Sequence, residues 1–156
     1  MGKLFKTSED VAELIMKQFD ATGLEAYGID VQIMSTKKAK DVIKVSKASA
    51  TTEFLIKKES VIQICVYEAA LDRLPMDIQK MLIEMALSTI SFDSERDKLN
   101  VDSNPYTPLF NGKSKYGAEI VMTAMELSFQ VIQAIEEEEK ERKEAEKAAK
   151  KNKREN

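Results

Sequence analysis

At 156 residues, with 43% hydrophobic and 33% charged residues, the chain has the size and composition of one globular domain with a charged appendage. Its formal net charge of −3 lacks the basic excess of a dedicated nucleic-acid binder. Zero histidines and a single cysteine, Cys65, exclude an internal disulfide, a cysteine-cluster zinc site and the usual imidazole base of hydrolytic enzymes.

Residues 1–5 precede charges and a helix cap rather than a signal-peptide core, so a cytoplasmic location is the expectation. No apolar run approaches the roughly 18 residues of a membrane span. Thr7-Ser8-Glu9-Asp10 reads as a helix start, with Thr7 or Ser8 as cap and two acids in the first turn. Val11, Leu14, Ile15 and Phe19 follow at helical spacing, and Gly23 is the stop. Residues 28–34 alternate, with Ile29, Val31 and Ile33 on one face and Asp30 and Gln32 on the other, which predicts a half-buried strand. After a polar turn at 37–41, a second strand is expected over 42–48, with Ile43 and Val45 sharing a face. Residues 50–57 fit a short helix capped by Thr51 or Thr52, with Phe54 in the core. The run Val61-Ile62-Gln63-Ile64-Cys65-Val66-Tyr67 is apolar and β-rich, the pattern of a central strand, and it makes Cys65 a buried, inert thiol.

The period then changes. Asp72-Arg73-Leu74-Pro75 leads into a helix whose Ile78, Met81, Leu82, Ile83, Met85, Ala86, Leu87 and Ile90 cover more than half its circumference, so it is a buried central helix. Residues 91–97 end it, and 98–101 form a short edge strand. Residues 102–115, with Asn104-Pro105, Pro108 and Asn111-Gly112, read as a loop. A long helix starts at Tyr116, with a stripe of Val121, Met125, Phe129 and Ile132 that must be buried. Past Ile135 the stripe stops. Residues 136–156 hold 8 acidic and 8 basic residues and no hydrophobic seam for coiled-coil pairing. They read as a solvated helical tail, frayed at its end, appended to a domain over 1–135. The fold class is α+β: a small mixed sheet of three to four strands packed on a central helix, with a long C-terminal helix.

Within the central helix, Leu82-Ile83-Glu84-Met85-Ala86-Leu87 has the shape of the zinc-peptidase motif H-E-x-x-H with both histidines replaced. The element order, together with Leu71-Asp72-Arg73-Leu74-Pro75, the segment 79–87, Ile90-Ser91-Phe92-Asp93-Ser94-Glu95-Arg96-Asp97-Lys98-Leu99 and Lys115-Tyr116-Gly117, resembles a bacteriophage metallopeptidase-like (zincin-like) family. The stretch from Tyr67 to Gly117, about a third of the chain, carries that resemblance, and the element order extends it over most of the rest. It implies a zincin-like fold and a phage accessory or virion-associated protein, in the bacterial host cytoplasm or the virion. In active members two histidines four residues apart hold zinc and the adjacent glutamate polarises the metal-bound water. Here Ile83 and Leu87 occupy the ligand positions and cannot bind a metal, and Glu84 is left as a vestigial rim carboxylate, within reach of Lys80. The expectation is therefore a scaffold without zinc-peptidase activity, metal or cofactor.

Three further groups bear on function. Tyr106, Leu109 and Phe110 place two aromatics and a leucine in the loop, either as a lid on the core or as a contact surface for a protein partner or a second copy. Lys37, Lys38, Lys40, Lys44 and Lys47 form a lysine strip which, with the basic C-terminus at 150–154, supports a second reading: a nucleic-acid-associated accessory protein whose binding is weak and salt-sensitive. Asp93, Glu95, Asp97 and Asp102 are clustered acids without EF-hand spacing, and they read as a solvated loop. An enzyme of another class would have to use them with Glu84. The first reading is a non-enzymatic protein acting through protein–protein contacts.

Overall fold

In the computed structural model, which describes residues 3–102, 104 and 116–155, the alternating and apolar runs assemble into one four-stranded mixed sheet. Its strands are β1 (Leu4–Lys6), β2 (Asp30–Thr36), β3 (Ile43–Lys47) and β4 (Val61–Val66), in the spatial order β1-β2-β4-β3. β2 and β4 are parallel, whereas β1 and β3 run antiparallel to their neighbours at the two edges. β4 is central, as its apolar run requires, and Val61, Ile62, Ile64 and Val66 are fully buried. The register sets Val31 beside Ile62 and Ile33 beside Ile64, so the apolar alternates of neighbouring strands share one face.

Five helices accompany the sheet among the described residues: α1 (Glu9–Ala21), α2 (Ala50–Ile56), α3 (Glu68–Leu71), α4 (Met76–Leu87) and α5 (Ala118–Glu155). α1 turns Val11, Ile15 and Phe19 inward and packs on α4. It ends where Gly23 adopts φ 75°, a left-handed conformation that glycine accepts at little cost. α4 starts behind Pro75 and buries Met81, Leu82, Ile83, Met85 and Leu87. α5 packs its first half on α3 and α4 through Val121, Ala124, Ser128 and Ile132.

The structure departs from the sequence reading in several places. β1 and the antiparallel hairpin of β5 (Ile90–Asp93) and β6 (Lys98–Val101) include two strands that periodicity does not show. Segments of three or four residues are too short for alternation to stand out, and β5 follows directly on the helical pattern of α4. Phe92 of β5 stacks on Tyr27, in the short 3₁₀ turn Leu24–Tyr27, with ring centroids 4.9 Å apart. The helix caps also differ. Ser49 caps α2 by accepting a hydrogen bond from the Thr52 amide. Ser8 makes no side-chain cap on α1. Its amide and hydroxyl instead donate to the Glu68 carboxylate of α3, at 3.0 and 2.6 Å.

Two aromatic residues expected in the core lie outside it. Phe54 is 81% exposed, since α2 buries none of its residues. Phe129 is 56% exposed. The face of α5 that meets α3 and α4 runs through Val121, Ala124, Ser128 and Ile132, and Phe129 lies about 100° round the helix from Ser128. Neither error is visible locally, because which arc of an apolar helix is covered depends on where its neighbours sit.

α5 also continues unbroken through Ile135. Its contact with the rest of the protein extends to Glu138, whose carboxylate takes a two-pronged salt bridge from Arg73, with N–O distances of 3.0 and 2.7 Å. By length and composition alone, part of this helix would suffice to cross a membrane, which the sequence reading did not anticipate.

Candidate functional site

α4 carries the segment 82–87 that resembles H-E-x-x-H without its histidines. Ile83 and Leu87, one turn apart, are 0% and 1% exposed and belong to the main core cluster. The face on which a metal would sit is therefore packed hydrocarbon. Glu84, the next residue round the helix, is half-buried and accepts a 2.6 Å hydrogen bond from the Tyr116 hydroxyl, just ahead of α5. Its carboxylate ties α4 to the entry of the last helix, and that partner, 32 residues away in sequence, was not predicted. Among the described residues, no three histidine, cysteine, aspartate or glutamate side chains are grouped so as to hold a metal ion.

The acidic group after α4 has a local structural role. Asp93 ends β5 and its carboxylate accepts hydrogen bonds from the amides of Glu95 and Arg96, closing the β5–β6 turn. Asp97 carries the left-handed φ of 50° in that turn. Tyr106, Leu109 and Phe110 lie outside the described residues.

Lys44 and Lys47 are three apart on β3, so they point to opposite faces of the sheet. Lys44 sits across from Cys65. Burial pushes the Cys65 thiol above its ordinary pKa, and the Lys44 ammonium opposes this less strongly, so the thiolate that nucleophilic chemistry needs is disfavoured. The Lys143 ammonium bonded to it holds the Glu139 carboxyl of α5 below its ordinary pKa, and Lys38 adds a smaller effect in the same direction. Lys58 pairs with Asp30 at 3.5 Å.

What the fold brings together instead is a groove along β3. Only one side of this strand is paired. Val42 and Ala48, which flank it, bond to β4 through Tyr67 N–H to Val42 O at 2.8 Å and Ala48 N–H to Val61 O at 2.9 Å. Antiparallel pairing alternates, so Lys44 and Ser46 bond inward and the backbone groups of Ile43, Val45 and Lys47 face outward. No strand pairs with that outer edge among the described residues. Beside it lies a cavity of about 390 Å³ with an apolar floor from Leu82, Met85 and Ala86 of α4, Val101 of β6 and Met125 of α5. A neighbouring depression shares Asp41, Met125 and Ser128 with it and adds Lys40, Met122 and the exposed Phe129. Neither Glu84 nor Asp93 lines either space. Sequence signals for this groove exist only in part: the strand is legible, but its place at the sheet edge is not.

Comparison with protein-family models, with curated proteins and with solved structures finds no match for this chain. The fold and the groove together define an α+β domain with a four-stranded mixed sheet, a one-sided edge strand and a long C-terminal helix.

Proposed function

We propose that this chain is a non-enzymatic, phage-type accessory or virion-associated protein of the bacterial host cytoplasm, which acts by binding another protein through an inactivated, zincin-like scaffold. The element order and the Leu74-Pro75 lead into α4 support the scaffold, and apolar Ile83 and Leu87 at the ligand positions support its loss of zinc-peptidase chemistry. The observation that carries the binding role is the outer edge of β3, unpaired among the described residues, beside a groove whose apolar floor includes Met85 and Met125. An edge strand offers a partner a ready row of main-chain donors and acceptors, and adjacent pockets select alternate side chains. Methionines adapt to irregular apolar surfaces. The fitting partner is an extended segment with apolar residues at every second position.

The test is a display selection of linear peptides on the full chain, followed by amide hydrogen exchange with the selected peptides. Protection concentrated at Ile43, Val45 and Lys47, abolished by Val45→Pro, is the expected result. Proline at Val45 removes an outward donor and leaves the ladder to β4 intact. Peptides that protect other surfaces, or bind the proline variant equally well, would refute the reading.

A further inference from the structure

The sequence divides by composition at Ile135, and there the tail sums to zero. The structure divides it elsewhere. Arg73 holds Glu138 through a two-pronged salt bridge, and Glu136 and Glu139 are partly buried, so the acidic start of the tail belongs to the body. From Lys140 to Glu155 every residue is exposed and helical. Counted at this boundary, residues 140–156 carry 8 basic and 4 acidic residues, while 1–139 carry 16 basic and 23 acidic. A basic arm therefore projects from an acidic body, about 24 Å long at ~1.5 Å per residue.

The cations on the arm are also sorted by face. Lys140, Lys143, Lys147, Lys150, Lys151 and Arg154 fall within a sector of about 100° at 3.6 residues per turn. Glu144 and Glu155 flank this sector on one side and Glu146 on the other, while Ala145, Ala149 and Asn152 lie opposite it. Lys143 is engaged with Glu139 at 2.9 Å, and among the described residues the other five cations have no ion-pair partner within 4.0 Å. Arg142 and Glu146 pair with each other off this face, at 3.9 Å.

We propose that this face of α5 binds the phosphate backbone of duplex nucleic acid without sequence preference. Lys140 to Arg154 spans about 21 Å, and one strand of a duplex offers a phosphate about every 3.4 Å of axis, so roughly six phosphates lie opposite six cations. The arm has no aromatic residue on which unpaired bases would stack, which disfavours a single strand. It has no large apolar residue for the side opposite the cations, which an interfacial helix needs in order to enter a lipid surface. The lysines of the β3 region take no part in this surface.

The experiment is a fluorescence-anisotropy titration of a short mixed-sequence duplex DNA with the full chain, at salt from about 50 to 200 mM. Five phosphate contacts predict a slope of log K against log salt near about −4.5, with dissociation constants in the roughly 10⁻⁴–10⁻⁶ M non-specific range at physiological salt. The combined variant Lys140→Gln, Lys147→Gln, Lys150→Gln, Lys151→Gln and Arg154→Gln, with helicity checked by circular dichroism, loses at least about tenfold at low salt and flattens the slope toward zero. Lys44→Gln with Lys47→Gln leaves both unchanged. Three results overturn the proposal: duplex binding that survives the five substitutions, arm-dependent self-association without duplex binding (the acidic body of a second copy being the ligand), or arm-dependent binding to phosphatidylserine vesicles without duplex binding.

Discussion

Placing histidines at positions 83 and 87 tests what the α4 face is. Ile83→His together with Leu87→His replaces two side chains that are 0% and 1% exposed. Each loses apolar burial that contributes about 1.5–3 kcal/mol. Each new imidazole adds a buried polar group with no partner in the core cluster, at a cost of about 1–3 kcal/mol. Together the pair costs about 5 kcal/mol or more, which matches much of the roughly 5–15 kcal/mol stability of an ordinary domain. Thermal unfolding followed by circular dichroism is the assay. A drop of roughly 10–20 °C is expected for a chain of this size, or failure to fold. Added zinc does not restore the wild-type value, because the neighbouring side chains are Met81, Leu82 and Met85 rather than further ligands. An unchanged melting temperature without metal would show that this face is not core. One zinc per chain by elemental analysis of the wild-type protein would refute the whole account of the helix.

Two further outcomes follow from the long helix. Truncation after Glu139 removes a segment whose described residues, 140–155, are all exposed, and leaves the melting temperature nearly unchanged, whereas truncation before Met125 removes Ser128 and Ile132 from the core and unfolds the domain; a large loss from the first truncation would mean that the arm packs on the body or on a second copy. The Arg73 guanidinium holds the Glu138 carboxyl below its ordinary pKa of 4.5, so the pair's stabilising effect is present above pH 4.5 and is lost as pH falls through the depressed value; Glu138→Gln should flatten that acid limb of a pH–stability curve, and an unaltered limb would show that the contact does not matter in solution.

Much of the fold was legible because local patterns and tertiary demands agree. The helical stripe of Val11, Ile15 and Phe19, the β-rich run 61–67 and the all-round apolar surface of α4 each fit one element type; the first two were placed within a residue or two, whereas α4 stops at Leu87 and Ile90, read as its last apolar position, begins β5. The buried state of Ile83 and Leu87 was legible for the same reason, since they sit in a helix apolar over most of its surface. The sequence by itself also determined what chemistry is missing, because a chain without histidine cannot place one anywhere.

Tertiary structure alone decided the rest. β3 reads as an ordinary half-buried strand, and only the order β1-β2-β4-β3 leaves it at an edge beside a groove. Strand order is set by pairings between residues far apart in the chain, such as Ile43 with Val66, which periodicity does not encode. Phe129 and Ile132 are equally apolar in sequence, but packing on α3 and α4 covers one and exposes the other. The tail appears neutral as a string. Arg73, 65 residues upstream of Glu138, draws the acidic turn onto the body and leaves the basic face projecting into solvent. Charge along a chain is a property of composition, whereas charge on a surface depends on where the last contact falls, and that contact is long-range.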